Sequence, residues 1–225
     1  MLNLAGAAVF LLAIHLFPST PMRPWAIARL GKTAYLGVFS AVTVVALVWL
    51  IRAFDAAPAV APLWIATGFW RYLIAALMVI PFIMLVAGLT SPNPSMVGRA
   101  GEAAGYEPWR GINAVTRHPV FWAIGIWGLL HFFSQPNAVT LLFFGTFALL
   151  AIGGAKLQEL RKRKSIGDTW KTFEAHTSFV PFAAIMAGRA KFSLQDIGFW
   201  RIAAGVALWA VLLGFHGTLF GVPVV

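Results

Sequence analysis

The sequence contains no cysteine. Disulfides, thiolate metal sites, thiolate haem ligation and a cysteine nucleophile are therefore excluded. Acidic residues are scarce, 7 Asp and Glu against 17 Lys and Arg. Charged residues of both signs make up only 11% of the chain, where a soluble domain carries about 25%. That shortage excludes a water-soluble fold, because too little charge is left to cover a hydrated surface. No H-E-x-x-H, no G-x-x-x-x-G-K-[ST] and no G-x-S-x-G occurs, so these zinc-protease, phosphate-loop and serine-hydrolase motifs are missing.

What the chain has in abundance is apolar. Hydrophobic residues make up 60% of its 225 positions, and the mean hydropathy is +0.82. Apolar runs fall at about 2–17, 34–52, 70–90, 119–134, 138–156 and 197–219, long enough or nearly so to cross a ~30 Å hydrocarbon core. Lipid offers no partner for backbone N–H and C=O groups, so such runs must be helices or closed barrels. They lack the alternating pattern of barrel strands. The expected fold is all-α: one integral membrane domain over 1–225, a polytopic bundle of about six transmembrane helices. The first run starts almost at Met1 and leads into Pro18-Ser19-Thr20-Pro21, which reads as a retained span rather than a cleaved signal peptide.

The net charge of +10 does not point to nucleic acid, because the cations sit between the spans. Arg23, Arg29 and Lys32 lie in 18–33. Arg99, Arg110 and Arg117 lie in 91–118. Lys156, Arg161, Lys162, Arg163, Lys164, Lys171, Arg189 and Lys191 lie in 156–196. Those three loops share one side of a six-span arrangement, and the opposite loops hold only Arg52 and Arg71. The positive-inside rule makes the basic side cytoplasmic and both termini outward, as in a bacterial inner membrane, with the lipid bilayer as the first partner. Trp64, Trp70 and Tyr72 suit an outer aromatic belt, and 58–69 a surface strap. Pro81 predicts a kink in the third span, and Ser134-Gln135-Pro136-Asn137 a tight hairpin turn. The cytoplasmic loop 157–196 begins with a helical stretch broken at Gly167 and continues with an apolar segment, Ser178 to Ile185, suited to the membrane interface.

Ionisable groups inside spans are costly and mark functional candidates. His15 ends the first span and His131 comes late in the fourth, each between apolar neighbours. Two histidines on different helices can clamp a haem, and a hydrogen bond to a neighbouring helix explains a lone one equally well. Arg117 and His118 precede Pro119, which suits the first position of a helix. They form an anion-friendly corner at the cytoplasmic boundary or an ordinary helix start with a snorkelling arginine. Glu159, Asp168 and Glu174 lie among cations and read as a solvated amphipathic helix facing lipid head groups.

Three segments together resemble the NnrU family. They are Thr116-Arg117-His118-Pro119, Trp127 with His131 four positions on, and Thr177-Ser178-Phe179-Val180-Pro181-Phe182-Ala183-Ala184-Ile185 with the later Arg189. The family includes denitrification-associated NnrU proteins and the zeta-carotene isomerases of plants and cyanobacteria, and the resemblance runs from His15 to about Arg189. It implies a role in nitric oxide and nitrite metabolism, with small nitrogen oxides or an apolar substrate as ligand. In the isomerase branch a b-type haem sits between two histidines, which match His15 and His131 by position as ligands of the haem iron. Arg-His-Pro is shared with isoprenylcysteine carboxyl methyltransferases, which implies a second reading, S-adenosylmethionine near Arg117, His118 and Glu159. A third reading is a non-catalytic assembly or transport factor. The chain departs from the isomerases at Leu16-Phe17-Pro18-Ser19 and at Leu149 and Leu150, and from the methyltransferases at Gln158-Glu159, Trp170 and Phe173. Depth also matters. His131 lies 13 residues, ~20 Å of helix rise, beyond His118, so His118 matches the depth of His15 better.

Overall fold

The computed structural model describes residues 1–20, 22–96 and 107–224. Pro21 and Arg99, both named above, lie outside the described residues. Within them all regular structure is helical, with a single isolated β-bridge between Pro62 and Asn137. Helix α1 (Leu2–Leu16) runs into a 3-10 turn at Phe17–Ser19 and is followed by α2 (Met22–Leu30) and α3 (Lys32–Asp55). Next come α4 (Gly68–Leu77), α5 (Val79–Thr90), α6 (Ile112–Val115), α7 (Pro119–Ser134) and α8 (Ala138–His176). The chain ends with α9 (Ala183–Met186), α10 (Leu194–Ile197), α11 (Phe199–Gly214) and α12 (His216–Phe220). Leu2–Ser19, Lys32–Asp55, Gly68–Thr90 and Ala138–His176 are long and apolar enough to cross a membrane, and α7 and α11 are shorter apolar helices. The six apolar runs of the sequence thus correspond to four helices of crossing length and two shorter apolar ones. At 16 residues each, α7 and α11 span only ~24 Å.

The third crossing is interrupted at Met78, between α4 and α5. Pro81 has no N–H for the Leu77 carbonyl, and its ring crowds that carbonyl, so the helix breaks where the ladder fails. Helix α1 packs antiparallel to α3: Asn3 accepts a 2.9 Å hydrogen bond from Trp49 Nε1. Leu4, Ala7, Ala8 and Leu11 meet Ala46, Leu50 and Ala53 of α3 and Val139 and Phe143 of α8 in one core. The other side of α3 leaves Val38, Val44, Val45 and Val48 exposed, a lipid-facing surface rather than a failed core.

Helices α7 and α8 form the expected hairpin, closed by a capping box of Asn137 and Thr140. Small residues permit the closest helix contacts. A Cβ on Gly128 would lie 2.6 Å from the Phe144 carbonyl oxygen, and one on Gly205 2.6 Å from the Ile83 Cα. The segment between α3 and α4 straps across this turn, with Leu63 N donating to Pro136 O at 2.6 Å and Trp70 Nε1 to Phe133 O at 2.7 Å. This far end of the bundle lies opposite the basic loops.

Candidate functional site

The polar centre of the molecule lies at the basic end, where α7 begins. Its backbone is fixed first. Asn93 Nδ2 and Ser95 Oγ both donate to the Arg117 carbonyl at 3.1 Å. Asn113 accepts from Asn93 at 2.9 Å and donates to the carbonyls of Pro92 and Pro108 at 2.8 and 2.7 Å. From the other side the segment after α8 clasps the same stretch: Arg117 N donates to Ser178 O at 2.9 Å and Phe182 N to Val115 O at 2.8 Å. Thr116 Oγ1 and Trp122 Nε1 each donate to Phe179 O at 2.8 Å. The clasp holds Phe182 at φ +66, a left-handed conformation that is uncommon outside glycine. The expected interfacial segment is therefore split. Thr177 and Ser178 are buried against Arg117, and Val180, Phe182 and Met186 remain exposed.

The side chains then converge. Arg117 Nη1 donates to Glu159 Oε1 at 3.0 Å and Glu174 Oε1 at 2.8 Å, and Nη2 to Thr177 O at 3.1 Å. His118 Nε2 lies 3.3 Å from Glu159 Oε1. Arg163 grips Glu174 from outside, and Lys156 lies 3.6 Å from Glu159 Oε2. Glu159 and Glu174 are 15 positions apart, ~22 Å along a straight helix, yet one guanidinium holds both. The fold-back occurs at Gly167, whose φ of +44 interrupts α8. The reading of these acids as a solvated helix is corrected here: Glu159 is 2% exposed and neutralises a buried arginine, because Gly167 turns the second acid back onto the same cation.

Burial pushes the His118 imidazole below its ordinary value of 6.5, against the opposing pull of Glu159. For Glu159, burial pushes upward, but the His118 hydrogen bond and the nearby Arg117 and Lys156 charges outweigh it and hold the carboxyl low. The pair is therefore a neutral imidazole beside a carboxylate, since a second buried cation beside Arg117 is disfavoured. In that state Nε2 carries the proton and donates to Glu159, leaving the Nδ1 lone pair free. Among the described residues, His118 Nδ1, Arg117 Nε, Gln158 Oε1 and Trp170 Nε1 are buried without a hydrogen-bond partner. Three of these atoms, on His118, Arg117 and the Trp170 ring beside His118, belong to one charged cluster, and the fourth is on the residue preceding Glu159; such a concentration is uncommon in a packed protein.

The remaining histidines lie elsewhere. His15 Nδ1 bonds the Leu11 carbonyl at 2.8 Å, and its ring meets Phe39 of α3. His131 Nδ1 bonds Trp127 O at 2.9 Å, and its ring stacks on Phe144, with Trp127 on another side. Phe144 in turn touches Phe54 of α3. Phe39 and Phe54 are 15 positions apart, so His15 and His131 sit at levels ~22 Å apart along α3. The structure does not bring them together, and bis-imidazole ligation needs ligand nitrogens about 4 Å apart, twice a metal–nitrogen bond. As placed, these two do not fit a shared haem iron. The ring facing His131 is that of His216, 6.4 Å away between centroids. His118 is committed to Glu159 and meets neither. Among the described residues no group of three His, Cys, Asp or Glu could hold a metal ion.

Sequence reasoning paired Arg117 with His118 and, through the methyltransferase resemblance, added Glu159. It missed that Glu174 joins them and that Asn93, Ser95 and Asn113 support them. The one available signal for the support was polar residues interleaved with prolines in Ser91-Pro92-Asn93-Pro94-Ser95.

Neither a curated protein nor a solved structure matches this chain. The model of the NnrU protein family matches residues 3–224, a stretch that includes every residue of the polar centre. The chain belongs to the NnrU family.

Proposed function

We propose that this chain is an NnrU-type protein of the bacterial inner membrane that serves nitric oxide and nitrite metabolism by binding a small polar ligand at the Arg117–His118 centre. The observation that carries the site is that, among the described residues, buried polar atoms of Arg117, His118 and Trp170 are left without a partner there, with a further one on Gln158 next to Glu159 in the chain. A purely structural ion-pair cluster has reason to satisfy its own donors and acceptors, whereas a binding site leaves some for the ligand. The His118 Nδ1 lone pair offers an acceptor, Arg117 Nε and Trp170 Nε1 offer donors, and Gln158 Oε1 offers a second acceptor.

The test is complementation. A denitrifying host lacking its own copy of this gene, given the wild-type chain, should restore normal nitrite and nitric oxide levels under oxygen limitation. Gln158→Leu and His118→Asn, present in the membrane at wild-type amounts, should not. Full restoration by both variants would sink the proposal.

A second reading has its own support. The His118 ring is surrounded by Phe121, Trp170 and Phe179 at 5.6–6.4 Å, beside the Glu159 carboxylate. Aromatic faces next to a carboxylate suit a cation carrying a flat ring, as in S-adenosylmethionine. Equilibrium dialysis of the purified protein should then give saturable S-adenosylmethionine binding that Arg117→Ala abolishes, and absence of binding to the wild type ends this reading.

A further inference from the structure

A second site lies away from the Arg117 centre, in the groove between α1, α2 and α3. A cavity of about 360 Å³ opens there, within the size range of small-molecule sites. Phe10, Ile14, Phe17, Ala26, Leu30 and Phe39 form its apolar walls. Tyr35 also lines it, stacked between Phe17 and Phe39. Tyr35 is 6% exposed, and its hydroxyl has no hydrogen-bond partner among the described residues. A buried phenol without a partner is costly, and here it borders empty apolar space.

Charge is placed at the same end. Arg161 of α8 is partly buried, and it lies within reach of the Arg23 charge. Burial is the first cause holding the Arg161 guanidinium below its ordinary value, and Arg23 is the next. Among the described residues neither Arg23 nor Arg161 makes an ion pair or a side-chain hydrogen bond, in contrast to Arg117 with its two carboxylates. Two neighbouring cations without an acid, one of them partly desolvated, are mutually repulsive and complementary to an anion. All three polar groups belong to the basic end, the level of lipid head groups, and α2 exposes Met22, Trp25 and Leu30 beside the cavity, as an interfacial helix does.

We propose that this groove holds one anionic phospholipid, an acyl chain filling the space between α1, α2 and α3 and the phosphate meeting Arg23, Arg161 and the Tyr35 hydroxyl. The apolar lining takes the hydrocarbon, the phenol donates to a phosphate oxygen, and the guanidiniums neutralise the charge. The phosphate meets all three groups at once, and only a lipid whose phosphate charge is not offset by a head-group ammonium brings net negative charge to the two guanidiniums.

Native mass spectrometry of the full chain in detergent tests this, with phosphatidylglycerol and phosphatidylcholine of equal chain length as probes. One phosphatidylglycerol should be retained at least fivefold more strongly than phosphatidylcholine. Tyr35→Phe, which keeps the ring stack, should weaken that retention severalfold. Arg23→Gln with Arg161→Gln should remove the preference, and Ala13→Phe, filling the cavity, should reduce retention of both lipids. Equal retention of the two lipids by the wild type would overturn the proposal, as would indifference to both the Tyr35 and the double arginine changes in variants with unaltered gel-filtration profiles. Displacement of phosphatidylglycerol by an equimolar free fatty acid would overturn it as well, by reassigning the groove to a carboxylate amphiphile.

Discussion

His118 and His131 lie on the same helix, α7, and live in opposite chemistries. His118 bonds Glu159 through Nε2, and Glu159 ties it to Arg117 and through Arg117 to Glu174, while its Nδ1 is left without a partner among the described residues. His131, near the other end, is boxed by Trp127 and Phe144, and its Nδ1 bonds only a carbonyl of its own helix. The first residue is one member of a network that loses meaning if any partner leaves. The second is packed as an aromatic ring that also carries a polar edge. A histidine inside a membrane span therefore says little by itself, and what its neighbours leave unsatisfied says more.

The sharpest break in this comparison is Arg117→Ala. It strands two carboxylates, one almost wholly buried, and should destabilise by about 3–5 kcal/mol. Thermal unfolding in detergent, or failure to accumulate in membranes, would show it. Glu159→Gln keeps a hydrogen-bond acceptor for His118 but removes the charge opposite Arg117, and a loss of about 2–3 kcal/mol is expected. If Glu174→Gln proved costlier than Glu159→Gln, the assignment of Glu159 as the main counterion would fail, because Glu174 is the more exposed acid. Gly167→Ala touches neither acid and forces a side chain to adopt φ +44. A loss of about 1–2 kcal/mol with weakened Arg117–Glu174 contact is expected, read as faster hydrogen exchange in 168–176. At the other end of α7, His131→Phe keeps an aromatic ring at a modest gain in volume and should cost about 1 kcal/mol. A collapse of that variant would show that the His131 nitrogens do more than cap a backbone carbonyl.

The smallest effect is that of pH. His118 titrates below 6.5 in the fold, so between that depressed value and 6.5 the unfolded chain binds a proton that the folded chain refuses. Stability is then full above pH 6.5 and declines as pH falls below it. Glu159 and Glu174 are held below 4.5, so their contribution is lost only as pH falls below that second point. A plot of melting temperature against pH should therefore descend in two stages, and His118→Asn should flatten the upper one. A melting temperature that rose on acidification from pH 7 to 5 would contradict the neutral imidazole.

Much of the fold was readable in the sequence because membrane physics acts locally. Apolar length marks the crossings, Pro81 the break in the third, Ser134 to Asn137 the hairpin, and Gly167 the break in α8. The site was legible only in fragments. Arg117 and His118 stand out beside Pro119, but the partners of Arg117 lie 42 and 57 positions later. Glu174 has the local surroundings of any solvated helix, and its pairing depends on how sharply the chain turns at Gly167, which composition does not encode. The pairing of His15 with His131 rests on resemblance, and their difference in depth was already legible in the 13 residues that separate His131 from His118.

The separation of Arg117 from Glu174 also has a consequence for how the chain is made. When α7 enters the membrane, its arginine has no counterion, because the nearer acid follows 42 residues later and the further one 57. At about 5–20 residues per second, the ribosome needs some seconds to deliver both. During that interval a cation waits at the membrane boundary with only water and lipid phosphates for company. Completion of the centre is therefore a late event in biogenesis, and a chain truncated before Glu174 would present quality-control proteases with an unpaired arginine.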